Sequence, residues 1–268
     1  MTAENCLKQG DIEGALKQLQ EQVKKQPANT ELRVFLFQLL AVMGQWDRAQ
    51  TQLDVAADLD DGTLAMVSMY RQVIACERIR EQVFLGKKEP IIFGKPNEWV
   101  ALLIQALKLT AQGENAKSQS VRSQAFAEAE TTSGLINDEP FEWFADSDPR
   151  LGPVMEAMVD GRYLWIPIEN IKKIVIEEPV DLRDMIWLPA HFTWNNEGES
   201  YGIIPSRYPL SYQYDPLLAL SRKTEWQDCG NDLFLGLGQK LWTTDSNEYP
   251  VMDIRTIQFD AETMPEEG

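Results

Sequence analysis

The chain has 268 residues, of which 44% are hydrophobic and 25% are charged, and its formal net charge at pH 7 is −17. This composition is typical of a globular protein with one large or two ordinary domains, and it excludes disordered and fibrous classes. Because an acidic surface repels phosphate groups, nucleic acid and anionic membrane are poor partners, and a basic protein surface is a better one.

The negative charge is concentrated in the second half. Residues 1–138 carry 15 basic and 18 acidic side chains, whereas residues 139–268 carry 10 and 24. Solubility alone is the competing explanation for this charge. No segment approaches the roughly 18 apolar residues of a membrane helix, and the first residues lack a signal-peptide pattern, so we expect a cytoplasmic protein. Three widely spaced cysteines predict reduced thiols rather than a disulfide framework or a zinc site.

A repeat of 34 residues organises the beginning of the chain. Gly10 recurs as Gly44, and Leu19 recurs as Leu53 at the same spacing. This is the period of tetratricopeptide repeats, in which a glycine turn joins two antiparallel helices. Pro27 cannot continue a helix and therefore ends the first unit. The pattern predicts stacked helix pairs.

Further helices are predicted along the first half. The spacing of apolar residues predicts helices over 31–43 and 63–84, a further helix capped by Asn97, and a last one after Gly113. We expect a TPR-like α-α superhelix over residues 1–138, with two clear repeats and a degenerate third pair. Its concave face could receive a peptide or helix from a partner, or could pack against the second domain.

The second half predicts short strands. Asp148 before Pro149 predicts a short helix that continues to about Val159. A hairpin turn is predicted at 195–198 and a short helix over 215–221. We expect a mainly β domain over residues 139–268, built as a small, partly open barrel or bent sheet with short helices. The predicted strands are residues 163–168, 173–177, 185–188, 192–194, 201–204, 224–226, 240–243 and 251–259.

No residue pattern indicates a catalytic centre. The single histidine, His191, lacks a nucleophile elbow around it, and Cys229 lies in a Gly/Asn loop without a recognisable catalytic context. Asp146 and Asp148 with Glu142 could form a carboxylate metal site or an acid/base pair, but helix capping also explains Asp148. The sequence Gly236–Gly238 lacks the remaining residues of a phosphate loop. We therefore predict no enzymatic activity, no cofactor and no metal.

Short motifs rich in Trp, Arg, Pro and acidic residues recur through the second half. They are Asp146–Pro153 (DSDPRLGP), Gly161–Pro167 (GRYLWIP), Leu182–Ala190 (LRDMIWLPA), Pro205–Pro209 (PSRYP), Arg222–Trp226 (RKTEW), Gly236–Lys240 (GLGQK) and Asp253–Arg255 (DIR). In this order, over about 120 residues, they resemble the C-terminal domain of the ImpE family, also called SciE or TagJ. Lys240 departs mildly from the pattern, where an arginine is expected.

The resemblance implies a cytoplasmic, non-enzymatic accessory factor of the bacterial type VI secretion system. It implies binding to the N-terminal helix of the small contractile-sheath subunit and a link to the AAA+ ATPase that disassembles contracted sheaths. An enzymatic or small-ligand-binding β domain carried on a helical scaffold is the alternative function.

Arginine and aromatic side chains dominate interface energetics when they are exposed. We therefore expect Arg183, Trp187, Arg207 and Tyr208 to contact a partner. Burial in the core or in ion pairs that stabilise the domain is the competing explanation for these residues.

Overall fold

Antiparallel helix pairs form the first half of the protein. The structure is a computed structural model that describes residues 2–95 and 97–260. Within these ranges, the first 130 residues contain seven α-helices: α1 (Ala3–Lys8), α2 (Ile12–Lys25), α3 (Thr30–Val42), α4 (Trp46–Leu59), α5 (Leu64–Phe84), α6 (Glu98–Ala111) and α7 (Asn115–Glu128).

The 34-residue period appears in the structure as two helix pairs, α1–α2 and α3–α4. Gly10 and Gly44 occupy the turns with φ of +78° and +67°, a left-handed conformation that side chains disfavour. Leu19 and Leu53 are fully buried at equivalent places in the seams. The predicted repeats are therefore confirmed.

Strands form the second half of the described chain. They are β2 (Gly134–Ile136), β3 (Glu139–Phe141), β4 (Phe144–Asp146), β5 (Val154–Val159), β6 (Arg162–Pro167), β7 (Ile171–Ile176), β8 (Trp187–Trp194), β9 (Glu199–Pro205), β10 (Thr224–Asp228), β11 (Phe234–Gly238), β12 (Leu241–Thr244), β13 (Glu248–Pro250) and β14 (Thr256–Phe259). A short strand from the helical half, β1 (Ile91–Ile92), pairs in parallel with β6.

The strands form three open sheets. The main one has nine strands in the order β1-β6-β5-β9-β8-β7-β14-β2-β3, and smaller sheets pair β13-β12-β4 and β10-β11. One short α-helix, α8 (Pro216–Ala219), lies among the described strands within the predicted range 215–221, and the Asp215 side chain caps its N-terminus. Helical repeats followed by open sheets confirm the predicted fold class. The predicted domain boundary at residue 138 stays a prediction. Strand β2, which ends two residues before this boundary, already belongs to the main sheet.

Strand β5 lies between two hydrophobic cores, and all six of its residues are buried. Val154 and Met158 face the helices, whereas Met155, Ala157 and Val159 face the opposite side of the sheet. Side chains of a strand alternate between its faces, so a strand covered on both sides shows no polar alternation in sequence. This explains why β5 escaped recognition as a strand.

The helix predicted from Asp148 to Val159 is wrong. The Asp148 carboxylate accepts the backbone N–H of Arg150 at 2.9 Å and that of Gly236, on a distant strand, at 2.8 Å. The Asp-Pro pair therefore begins a turn fixed by long-range contacts. Two predicted strands, 185–188 and 192–194, overlap a single strand, β8, which begins at Trp187.

Candidate functional site

Trp187 joins the helices to the main sheet. Its indole ring is fully buried, with ring centroids 5.6 Å from Tyr70, 6.1 Å from Trp46 and 6.4 Å from Phe37. Its indole N–H donates to the Glu77 carboxylate at 2.9 Å. The aromatic residues come from α3, α4 and α5. The second half of the chain thus packs against the helical array through a residue at the start of β8.

A buried network of charges lies between α5 and the sheet. The Glu156 carboxylate accepts hydrogen bonds from the Arg80 guanidinium at 2.6 and 2.7 Å and from the Tyr163 hydroxyl at 2.7 Å. The Lys240 ammonium lies 2.7 Å from Glu156 and 2.6 Å from Asp146. All four charged groups are less than 5% exposed. The network therefore connects a helix, a central strand and the segment before β12.

The charges of this network are strongly coupled. Burial alone would raise the pKa of Glu156, but Arg80 and Lys240 together hold it well below its usual value, at about 2. Burial raises the pKa of Asp146, against the opposing effect of Lys240. Because Glu156 is ionised, fully paired and closed to solvent, the arrangement is suited to holding the two halves together rather than to proton transfer.

Arg207 contacts the end of helix α3. Its guanidinium donates to the backbone carbonyls of Val42 at 2.6 Å and Ala41 at 3.2 Å, and to that of Ala219 at the end of α8 at 2.5 Å. The last carbonyls of a helix lack partners within it, and a cation satisfies them well. Burial lowers the pKa of Arg207 to about 10, so it remains charged at neutral pH.

Arg222 makes the equivalent contact with helix α1. Its guanidinium donates to the carbonyls of Leu7 at 2.6 Å and Lys8 at 3.4 Å. These two residues lie 34 positions before the two that Arg207 contacts at the end of α3. The segment between the two arginines therefore binds successive repeats in the same way.

The turn glycines of both repeats are also covered by this segment. A β-carbon added at Gly10 would lie 3.1 Å from the Leu217 side chain, and one added at Gly44 would lie 2.4 Å from the Tyr212 ring. The protein's own second half thus occupies the turns and one end of the array. This matches the alternative in which the short array packs against the second domain.

An open cleft remains beside α5. It has a volume of about 540 Å³ and lies between α5, strands β8 and β9, and the loop at 177–184. We call it the α5 cleft and define it by Met69, Tyr70, Val180, Arg183, Tyr201 and Ile203.

The wall of the α5 cleft is largely apolar. The thiol of Cys76 contributes to it, and burial raises the pKa of this thiol to about 11, with a further contribution from Glu77. Burial also raises the pKa of Tyr70. Both groups are therefore neutral at physiological pH, and the Cys76 thiol is unsuited to act as a nucleophile.

Arg183 fixes the loop that borders the cleft. Its guanidinium stacks over the Tyr70 ring at 4.8 Å and lies 2.8 Å from the Asp181 carboxylate. The Asp184 carboxylate accepts the backbone N–H groups of Val180 and Asp181 at 2.9 and 3.0 Å. These contacts hold the loop in a defined position, so the cleft is formed before any partner arrives.

The four residues predicted from the sequence to contact a partner occupy different environments. Arg183 lies at the α5 cleft with 22% of its side chain exposed. Trp187 and Tyr208 are fully buried, and Arg207 is 4% exposed. Their role in partner binding stays a prediction, and the positions of the last three match the competing explanation of buried stabilising residues.

Sequence reasoning missed the residues that connect the two halves. Glu77 and Arg80 lie in a helix whose apolar face was recognised, but nothing local showed that two charges fall on that face. Glu156 lies in the misassigned strand. One signal was available in the sequence. A charged residue at a core position of an amphipathic helix requires a buried partner of opposite charge, and it therefore indicates a contact with another element.

The side chains considered for catalysis do not form a reactive centre. His191 lies 3.6 Å from the Glu199 carboxylate and packs against the Tyr201 ring. Within the described residues, no Ser or Cys side chain forms a hydrogen bond with its imidazole. Gly238, in β11, approaches the carbonyl of Lys223 so closely that an added β-carbon would lie 2.0 Å from it. Within residues 2–95 and 97–260, no group of three His, Cys, Asp or Glu side chains could hold a metal ion.

Comparison with known proteins agrees with this architecture. Residues 138–258 match the model of the ImpE protein family, and residues 7–72 match a tetratricopeptide repeat. A Pseudomonas aeruginosa protein, type VI secretion system accessory component TagJ, is 48% identical over 97% of this chain and 92% of its own length. The chain belongs to the ImpE/TagJ family of type VI secretion system accessory proteins.

A solved structure has the same fold over nearly the whole chain. The crystal structure of protein VPA1032 from Vibrio parahaemolyticus superimposes with a TM-score of 0.90 at 26% identity, covering 97% of this chain and 98% of that one. Helices and sheets therefore recur together in the same arrangement. Among the described residues, no helix is both long and apolar enough to cross a membrane.

Proposed function

We propose that this ImpE/TagJ family member is a cytoplasmic, non-enzymatic adaptor of the type VI secretion system. It binds the N-terminal helix of the small contractile-sheath subunit and links that subunit to the AAA+ ATPase that disassembles contracted sheaths. The observation that carries the proposal is the preformed, largely apolar α5 cleft, which stays open while the protein's own second half packs against the helical repeats. Helical partners commonly bind such grooves through their apolar faces.

The test is isothermal titration of the purified protein with a synthetic peptide of its cognate sheath subunit's N-terminal helix. We expect saturable one-to-one binding with a micromolar or lower Kd, and no binding of a scrambled peptide of the same composition. Equal binding of both peptides, or none by a folded protein, would refute the sheath-binding step. Co-purification of the ATPase with the protein, with and without the sheath subunit, tests the link separately.

A small-molecule role for the same cleft is the second candidate. A volume of about 540 Å³ falls in the range of ligand pockets. This role predicts saturation of the cleft by a metabolite and competition between that metabolite and the helix peptide. Thermal-shift screening of a metabolite library against the folded protein is the corresponding measurement, and a screen without any stabilising compound would contradict it.

A further inference from the structure

We propose that the α5 cleft is the docking site for an amphipathic helix that carries Lys or Arg residues beside its apolar face. The proposal rests on the adaptor function above and deepens it by naming the surface and the chemistry that it selects. Two features of the cleft support it: an apolar floor with exposed apolar side chains at its mouth, and an acidic border.

The mouth of the cleft exposes apolar side chains from three different elements. Val180 is 86% exposed, Tyr201 is 77% exposed and Met69 is 43% exposed. They come from the loop before β8, from β9 and from α5, and all three line the same cleft as the buried Ile203. An apolar patch with a polar border is typical of a protein interaction site. These side chains offer anchor points for the apolar face of a partner.

The backbone around the cleft favours a helix over an added strand. Strand β9 pairs with β8 along its whole length, and with β5 on its other side at Gly202 and Ile203. In the adjacent loop, the N–H groups of Val180 and Asp181 donate to Asp184, and that of Glu177 donates to the Pro189 carbonyl. An added strand needs free backbone groups along an edge. These pairings leave little free backbone beside the cleft, which favours side-chain contacts of the kind that a helix makes over an added strand.

The border of the cleft is negatively charged. Asp160, Glu177 and Glu178 line it, and all three side chains are exposed. The Asp160 carboxylate lies 3.9 Å from the Arg162 guanidinium. Within the described parts of the chain, neither glutamate carboxylate has a hydrogen bond or an ion pair. Arg183, the cation of the cleft, is paired with Asp181 and stacked on Tyr70. The net negative border complements Lys or Arg on the partner and disfavours an acidic helix.

The experiment compares variants in titrations with the sheath helix peptide and with a designed amphipathic helix of leucine and lysine. Val180→Ser with Tyr201→Ser removes two exposed anchors, so we expect binding to weaken by about tenfold or more. Glu177→Lys with Glu178→Lys reverses the border, so we expect a loss of about tenfold at low salt that shrinks as NaCl is raised to about 0.5 M. Because these side chains are exposed, the variants retain the fold, which circular dichroism checks.

Control variants change other exposed residues that lie outside the cleft. Leu64→Ser removes an exposed apolar side chain from α5, and Asp58→Lys with Glu128→Lys reverses two exposed acidic charges on other helices. We expect binding by these variants to stay within about twofold of the unmodified protein, since neither touches the proposed contact surface.

The outcomes separate the site from the function. If the unmodified protein binds the sheath peptide and the cleft variants bind it as well as the controls do, the docking site is wrong while the adaptor function stands. If the sheath peptide fails but the leucine–lysine helix binds and loses affinity in the cleft variants, the site stands and the sheath partner is wrong. Failure of both peptides to bind the folded protein overturns both proposals.

Discussion

Replacing the buried Glu156 by glutamine tests whether the charge network holds the two halves together. Glutamine has nearly the same shape as glutamate but carries no charge. The change removes the bidentate anionic partner of Arg80, which keeps only Glu77 at 3.4 Å, while Lys240 keeps only Asp146. These groups are almost completely closed to solvent, so water cannot compensate for the lost charge.

The structure gives the magnitude of the effect by two routes. Removing one partner of a buried ion pair costs about 3–5 kcal/mol because it leaves an uncompensated charge. Independently, the pKa of Glu156 is lowered from 4.5 to about 2. At about 1.4 kcal/mol per pKa unit, this shift corresponds to about 3 kcal/mol of stability. We therefore expect Glu156→Gln to lower the free energy of unfolding by about 3–5 kcal/mol at neutral pH.

The same shift predicts a pH dependence. Because the folded-state pKa of Glu156 lies below the unfolded-state value, its stabilising contribution is fully present above about pH 4.5. It is lost as the pH falls from about 4.5 towards 2, where the carboxylate becomes protonated in the folded protein as well. The unmodified protein should therefore lose more stability than the Glu156→Gln variant over this range.

Guanidinium chloride unfolding followed by tryptophan fluorescence measures both effects, with the denaturation midpoint and slope compared between variants. Glu178→Gln, which changes an exposed carboxylate without an ion pair in the described structure, is the matched control and should change the free energy of unfolding by less than about 0.5 kcal/mol. A Glu156→Gln loss of less than about 1 kcal/mol, or an acid dependence equal to that of the unmodified protein, would refute the reasoning.

Two further predictions concern the contacts between the repeats and the second half, and a third concerns the Cys76 thiol. Arg207→Ala removes the guanidinium from three helix carbonyls, of which that of Ala41 keeps the Gly44 N–H as a donor, and should cost about 3 kcal/mol in chemical denaturation. The exposed Arg222→Ala should cost about 1 kcal/mol; equal losses would contradict the difference in burial. Gly44→Ala places a methyl group against a tyrosine ring and should lower the melting temperature more than Gly113→Ala, which meets open space at a similar φ; the reverse order would contradict the close contact. The Cys76 thiol has a pKa of about 11, so it should resist alkylation by iodoacetamide in the native protein at mildly alkaline pH and react after denaturation. Mass spectrometry of the alkylated protein measures both reactions, and rapid labelling of the native protein would contradict the burial of this thiol.

Local patterns were sufficient for the helical half. The glycine, alanine and leucine positions repeat every 34 residues, and the structure places each turn glycine in the left-handed conformation that its position requires. Proline and glycine also separated the strands that were recognised, β6 to β10, β12 and β14, because these residues interrupt regular structure within a few positions. Strands β1 to β5, β11 and β13 were missed. In β5, burial on both faces removes the alternation on which recognition depends.

The candidate site was much less predictable. Of the four residues expected to contact a partner, Arg183 lies at the open cleft, whereas Trp187, Arg207 and Tyr208 lie in the interior. Arg and Trp side chains serve equally well in cores and in interfaces, so residue type alone does not distinguish the two environments. The cleft itself is formed by α5, two strands and a loop that are distant in sequence.

By itself, the sequence determined the repeats, about half of the described strands and the family, because each depends on residues close together in the chain or on motifs in a set order. Only the tertiary structure decided which charges meet. Arg80 and Glu156 are 76 positions apart, and Arg207 lies 165 positions from the Val42 carbonyl that it contacts. Such pairs form because the sheet packs against the helices and closes these groups off from water, and no local spacing in the sequence records that packing.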